Sequence, residues 1–250
     1  MEELEIENLN VTIDSEHLLK NICIKINKNE VVGILGESGS GKTLTTKFML
    51  NILPEKAIVS YDKYIKNTSI GAIFQNAFIV FNPTIKLGRQ LKHLYRSHYN
   101  TLKGFDEKIE EIFKQVGLDK KDFLKKYSFE CSGGERQRLA IAGALIGNPG
   151  ILIADEVTTA LDTDTKNEVL NLLNKIREKT SIIYISHEVN TMRNFVDRIY
   201  VVYKGEIIEE NSTKEIFENP KQEYTKKLVE LANKYSDDLN WKRRNRCFYK

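Results

Sequence analysis

Gly36-Glu37-Ser38-Gly39-Ser40-Gly41-Lys42-Thr43 is the stretch on which the reading of this chain turns. It satisfies the pattern G-x-x-x-x-G-K-[ST] at every fixed position. The apolar run Val31-Val32-Gly33-Ile34-Leu35 before it reads as a buried parallel strand, and residues 42–53 after it read as a helix that stops at Pro54. Glycines let such a loop curl until successive backbone N–H groups point inward, and the following helix adds the positive end of its dipole. Lys42 then reaches the β- and γ-phosphates of a nucleoside triphosphate, while Thr43 offers a hydroxyl to Mg²⁺. A glycine-rich turn that matches by chance is the bland alternative, and the flanking strand and helix weigh against it.

The rest of the composition sets bounds. The chain has 250 residues, 41% of them hydrophobic, enough for one large domain or two closely packed lobes. A net charge of +3 is too small to argue for a nucleic-acid partner. No apolar run approaches a bilayer span, and Met1-Glu2-Glu3 lacks the basic start of a signal peptide, so a cytosolic setting is expected. Cys23, Cys131 and Cys247 are too scattered to suggest a metal site or a disulfide framework.

Outward from the loop, residues 4–6, 11–13 and 22–26 read as short strands, and Lys28-Asn29-Glu30 turns the chain into the phosphate-loop strand. No structure is assigned to 54–68. Residues 69–74 read as a buried strand delivering Gln75 to its end, where ligands bind in α/β folds, although most such glutamines only cap a loop. Helical patterning over 84–99 and 106–116 places Ile109, Ile112, Phe113 and Val116 on one stripe, with Gly117 as a stop. These helices suggest an inserted lobe or, more plainly, an ordinary crossover pair.

Cys131-Ser132-Gly133-Gly134-Glu135-Arg136-Gln137-Arg138 then leads into a helix over 139–146. It is a second anion-binding helix start by the same dipole argument, or simply an N-cap. Two such sites in one chain make sense when two copies share nucleotides. Cys131 reads as a small buried packing residue, with some thiolate character as the alternative. Residues 151–156 form an apolar strand ending in Asp155 and Glu156, adjacent acids that repel unless a cation or donors neutralise them. Beside a phosphate loop, Asp155 would hold Mg²⁺ through its water shell. Glu156, pointing the other way along the strand end, would orient an attacking water.

Residues 164–179 form an amphipathic helix with Val169, Leu172, Leu173 and Ile176 on one face. Residues 181–186 deliver His187, a sensor of the γ-phosphate in this setting or a local hydrogen-bonding residue. A hairpin crosses Lys204-Gly205, and 223–232 is helical. The tail with Trp241, Lys242, Arg243, Arg244 and Arg246 reads as a loose end or a contact for anionic lipid.

Taken in order, these motifs resemble the ATP-binding subunits of ABC transporters over nearly the whole chain. Residues 36–43 look like the Walker A loop, Gln75 like the Q-loop glutamine, and Ser132-Gly133-Gly134 like the core of the family signature. Residues 151–155 look like Walker B, with Glu156 as the catalytic carboxylate, Ala160-Leu161-Asp162 as the D-loop and His187 as the switch histidine. The resemblance implies an α/β fold of the P-loop NTPase type. A RecA-like core, a small N-terminal antiparallel β region and an inserted α-helical subdomain at about 76–147 would make up an ATPase domain over 1–236, leaving 237–250 as a flexible basic tail.

The same resemblance implies ATP and Mg²⁺ as cofactors. Residues 36–43 would hold ATP with Ile13 near the adenine, Thr43, Gln75 and Asp155 would hold the metal, and Glu156, His187 and Gln75 would serve hydrolysis. Ser132, Gly133, Gly134 and Glu135 would face the ATP of a second subunit, identical or different, paired head to tail. Two integral membrane permease subunits and, indirectly, an extracytoplasmic binding protein are the other implied partners, with no nucleic acid. The implied location is peripheral, on the cytoplasmic face of the cell membrane.

Phe81-Asn82-Pro83-Thr84, Thr158-Thr159-Ala160-Leu161-Asp162, and Asn219-Pro220 followed by Glu223-Tyr224-Thr225-Lys226-Lys227-Leu228 look like the dipeptide, oligopeptide and nickel importer branch. The short 53–70 stretch and Lys86-Leu87-Gly88-Arg89-Gln90-Leu91 look similar to its compact nickel members. The function implied is ATP hydrolysis that powers uptake of nickel, a metal chelate or an oligopeptide. The alternatives are a regulatory nucleotide-binding subunit with little hydrolysis of its own, or the ATPase of an exporter. Departures from the family pattern are Ile13, where an aromatic residue usually stacks on adenine, and Cys131, Glu135 and Val157, where Leu, Gln and Pro are common. None removes a phosphate, magnesium or water ligand, but they leave room for an unequal pair of ATP sites. Cargo selection lies in the permease and the binding protein, outside this chain.

Overall fold

The structure, a computed structural model, describes residues 2–74, 80–159 and 161–245, with side chains through Lys234. Two compact units emerge. A helical unit gathers the chain up to Glu5 with Ile24–Glu30 and Tyr64–Tyr184; a loop-bearing unit holds Ile6–Cys23, Val31–Lys63 and the chain from Ile185 onward.

Strands β1 (Glu2–Ile13) and β2 (Glu16–Asn27) meet at Asp14-Ser15, whose φ of 48° and 69° is the pair of left-handed residues that a two-residue hairpin turn requires. The separate short strands expected here are one continuous hairpin. In β1 the buried positions change parity from Leu4 and Ile6 to Leu9 and Val11, across Asn8 at φ 54°. In β2 they change from Leu19 to Ile22, Ile24 and Ile26, across Asn21 at φ 50°. Each asparagine acts as a bulge that flips the inward face, so an uninterrupted strand reads in sequence as two pieces.

Strand β3 (Val31–Leu35) is buried at every position and leads into α1 (Lys42–Met49). That helix ends before the expected Pro54. Asn51, at φ 57°, closes it with Asn51 N–H to Phe48 and Ile52 N–H to Lys47, the paired bonds of a left-handed C-terminal cap. In the stretch left without an expectation, β4 (Ile58–Ser60) pairs antiparallel with β1 through Asn10↔Ser60 to Thr12↔Ile58, and β5 (Lys63–Lys66) also pairs with β1.

In the helical unit, β6 (Ile70–Ile73) precedes α2 (Leu87–Tyr99), α3 (Phe105–Val116), α4 (Lys120–Phe123), a 3₁₀ turn at Ser128–Glu130 and α5 (Gly133–Leu145). Strand β7 (Ile151–Asp155) follows and pairs parallel with β6, Ile70↔Ile151 through Ile73↔Ala154. All the helices between them therefore sit in one connection between neighbouring parallel strands. Helix α6 (Thr163–Ile176) buries Val169, Leu172, Leu173 and Ile176, the expected face, each worth about 1.5–3 kcal/mol over an exposed position. Strand β8 (Ser181–Ser186) is buried throughout, and the strand order among these is β8-β7-β6.

In the loop-bearing unit, α7 (Val189–Phe195) leads to β9 (Arg198–Tyr203), β10 (Glu206–Ser212) and α8 (Thr213–Glu218). Strand β9 lies parallel to β3, Val32↔Arg198 through Leu35↔Val201, and antiparallel to β10. The expected turn Lys204-Gly205 joins the last two, with φ 49° and 83°. Helix α9 runs Glu223–Asn245, through most of the stretch expected to be a loose tail. No Gly or Pro follows Pro220, so nothing in the backbone chemistry stops the helix where its apolar periodicity fades.

Candidate functional site

The loop between β3 and α1 is shaped by close backbone approach. A Cβ on Gly36 would stand 2.3 Å from the Val202 carbonyl oxygen of β9 and 2.7 Å from Ser40 Oγ. Gly41, at φ 113°, is the N-cap of α1, and a Cβ there would meet Leu19 at 2.7 Å. Lys42 is 5% exposed; its Nζ donates to the Gly36 and Glu37 carbonyls at 2.8 and 2.7 Å. Backbone bonds brace the loop from both sides: Ser40 N–H to Glu37 O inside it, and Gly205 N–H to Ser40 O from the β9–β10 turn. Glu37 N–H donates to the Tyr224 hydroxyl at 3.1 Å.

Three features fit a triphosphate. Gly36 lets the loop backbone close on β9 with no room for a side chain, and Ser40 Oγ is buried with no hydrogen-bond partner among the described residues. The start of α1 has neither a side-chain cap nor an acid in its first turn, so its N–H groups and dipole face an anion unopposed. Thr43 is exposed at that helix start. Ile13 is half-buried beside the β1–β2 turn, and His17 bonds Asn10 Oδ1 at 3.1 Å. His187 is exposed just past β8; the next residue, Glu188, donates its N–H to Ser186 Oγ and accepts from the Thr191 hydroxyl.

The acidic pair and the Ser-Gly-Gly motif belong to the helical unit. Asp155 ends β7 at 6% exposure, and half-exposed Glu156 has φ 51°. The strand alternation invoked for these two acids therefore stops at Asp155: Glu156 owes its direction to a left-handed backbone. Such a conformation costs a non-glycine residue about 1–3 kcal/mol and clusters at functional sites. The turn after it is closed by Thr159 N–H to Glu156 O, and the buried Thr158 hydroxyl meets the Tyr184 hydroxyl at 2.9 Å. Asp162 caps α6, accepting from the N–H groups of Asp164 and Thr165 and from the Thr165 hydroxyl. The Thr165 bonds, above all, hold its carboxyl below the usual aspartate range.

Ser132 caps α5. Its Oγ accepts from Glu135 N–H at 3.2 Å while the Glu135 carboxylate accepts Ser132 N–H at 2.7 Å. This capping box engages Glu135 within its own helix start, a role the S-x-x-E spacing could have revealed. The Ser132 hydroxyl proton remains free to donate, because the oxygen is the acceptor in that bond. Ser132 and Gly133 are exposed, and a Cβ on Gly133 would meet nothing within 4 Å. Burial pushes the Cys131 thiol up, which fits the packing role and not the thiolate alternative. Gln75 and Ala160 lie outside the described residues. Tyr224, which meets the loop through Glu37 N–H, carries no sequence signal of a part in the site.

The sequence profile described as "ABC transporter" matches residues 19–159, more than half of the chain. The chain belongs to the ABC transporter family. Its curated relatives include the nickel import system ATP-binding protein NikD of Staphylococcus aureus (strain MRSA252), 34% identical over 94% of this chain and 98% of the relative. The dipeptide transport ATP-binding protein DppD of Lactococcus lactis subsp. cremoris (strain MG1363) is 31% identical over 91% of this chain and 72% of that one. Among solved structures, the ATP-binding cassette MJ0796, dimeric in a post-hydrolysis state bound to ADP and Pi, superimposes with a TM-score of 0.68 at 27% identity. That match covers 84% of this chain and 98% of the cassette. The α/β architecture is thus the P-loop NTPase fold of ABC cassettes. Among the described residues no helix is long and apolar enough to cross a membrane.

Proposed function

We propose that this chain is the ATP-binding and hydrolysing subunit of an ABC importer and holds Mg²⁺-ATP in the loop of residues 36–43. The observation that carries the proposal is Lys42, buried in a glycine-rich loop with its Nζ folded back on the Gly36 and Glu37 carbonyls, beside an uncapped helix start. Phosphate oxygens would replace those carbonyls as partners of the ammonium. Thr43 and Asp155 would hold Mg²⁺, which draws most of its ligands from phosphate and water and so needs few from protein. When bound, the ion supplies charge neutralisation at the β- and γ-phosphates. Glu156 orients and accepts a proton from the attacking water, and His187 contacts the γ-phosphate.

Ser132, Gly133 and Gly134 present a hydroxyl and helix-start N–H groups to the nucleotide of a second subunit paired head to tail. Permease subunits hold the assembly at the cytoplasmic face of the membrane. They dock on the groove between α2 and α5, which is lined by Ile85, Arg89, Gln90, His93, Leu94 and Gly143. The cargo is nickel, a metal chelate or a peptide, by likeness to NikD and DppD. Glu156→Gln in the assembled transporter tests the reading. ATP turnover and uptake should cease while ATP stays bound and subunits stay paired; turnover near that of the unsubstituted transporter would refute the role of Glu156 and favour a subunit that only regulates.

A further inference from the structure

We propose that Tyr224 is a positioning residue for the phosphate loop, tying the start of α9 to nucleotide affinity. This rests on the assignment of residues 36–43 to ATP. Two side chains hold residue 37, the Tyr224 hydroxyl its N–H at 3.1 Å and Lys42 Nζ its carbonyl at 2.7 Å, and the same carbonyl accepts Ser40 N–H at 3.2 Å within the loop. When Lys42 turns to a phosphate the second hold is given up. The tyrosine is then the side-chain contact that keeps residue 37, and with it the Gly36 approach to Val202, in place. A loop already fixed in its binding geometry loses less freedom when the anion arrives.

Tyr224 is itself kept from swinging. Its ring packs on Tyr203, the last residue of β9, with centroids 4.4 Å apart. The start of α9 is anchored by Glu209 of β10, 9% exposed, whose carboxylate accepts the N–H groups of Lys221 at 2.8 Å and Gln222 at 3.0 Å. The fully buried Thr225 hydroxyl faces the same carboxylate. Farther along α9, Asn190 and Arg193 of α7 bond Ala232 O and Asn233 Oδ1 at 3.1 and 2.9 Å. The helix is therefore pinned at two places, and the hydroxyl at its start acts from a fixed base.

The test uses the full-length chain, titrated with ATP in the presence of Mg²⁺. Tyr224→Phe keeps the ring stack and removes only the hydroxyl. It should weaken ATP binding about five-fold, the size of one net hydrogen bond. The nucleotide-free melting temperature should fall by no more than about 2–4 °C, the loss of that one hydrogen bond, because the ring packing is intact. In the assembled transporter the same variant should raise KM for ATP with kcat nearly unchanged. Glu209→Gln, which loosens the base of the tyrosine, should shift affinity in the same direction.

Lys42→Ala, measured alongside, separates two kinds of failure. If it abolishes binding while Tyr224→Phe and Glu209→Gln bind ATP within two-fold of the unsubstituted chain, the role of Tyr224 is overturned. A lowered melting temperature in either variant with unchanged affinity overturns it too, as a purely structural contact. If Lys42→Ala binds ATP normally, the loop assignment falls and takes this inference with it.

Discussion

Replacing Gly36 with alanine isolates the close approach on which the phosphate loop depends. The added Cβ would stand 2.3 Å from the Val202 carbonyl oxygen, a contact that must open to at least about 3.0 Å. That oxygen cannot retreat cheaply, because it belongs to β9, which is paired with β3 on one side and β10 on the other. Ser40 Oγ, at 2.7 Å, blocks a second direction. The first residue of the loop therefore moves by at least about 0.7 Å, and overpacking of this kind costs about 1–3 kcal/mol.

A displacement approaching 1 Å in groups that position a reacting ligand can cost up to about 10²-fold. Mg²⁺-ATP affinity of the full-length chain, measured by calorimetry, should thus fall about 10- to 100-fold. The nucleotide-free melting temperature should drop by about 2–12 °C. Gly143→Ala in α5 is the control, since its Cβ would rest 3.5 Å from Phe81 in ordinary contact; it should bind ATP normally. Affinity in Gly36→Ala within two-fold of the unsubstituted chain would refute the reasoning.

Glu135→Ala should lower stability by about 1 kcal/mol through loss of the capping box at α5, whereas Glu135→Gln should stay near the parent. Equal melting temperatures for the two variants would contradict the cap. Glu209 gives a pH dependence of definite sign. Burial alone would push its carboxyl up, but the Thr225 hydroxyl and the N–H groups of Lys221 and Gln222 bring it below the ordinary 4.5. The unfolded chain therefore binds more protons in this range, so the group's contribution is complete above about pH 4.5 and is lost as pH falls through the lower folded value. The melting-temperature advantage of the parent over Glu209→Gln should shrink on acidification from pH 6 to pH 3; parallel curves would count against it.

Much of the core was legible because burial on both faces writes itself as continuous apolar runs. Val31 to Leu35, the strand ending at Asp155 and the strand before His187 were all readable this way, as was the four-residue stripe of α6. Turn chemistry gave the Lys204-Gly205 hairpin. The β1–β2 hairpin was obscured because Asn8 and Asn21 flip the inward face, a local backbone event that no alternation rule anticipates. Short α7 and α8 carry too few turns for a periodic signal.

At the site, residue types and spacing named the loop, the acids and the Ser-Gly-Gly start. They did not disclose that Glu156 is left-handed or that Glu135 and Asp162 serve as helix caps, although the cap spacings were there to be read. Tyr224 stands far from the loop in sequence. Its bond to Glu37 depends on where the chain places the start of α9, beside Tyr203 and Glu209, and contacts of that range leave no local pattern.

In the proposed function Thr43 and Asp155 would serve one metal bound to one triphosphate. A double-mutant cycle tests it most directly, with Thr43→Ala, Asp155→Asn and the pair scored by how much Mg²⁺ tightens ATP binding to the full-length chain. A shared ion predicts that either single change removes most of the Mg²⁺-dependent gain and that the pair is no worse than the more damaging single. Losses that simply add, as for two residues acting independently, would contradict it.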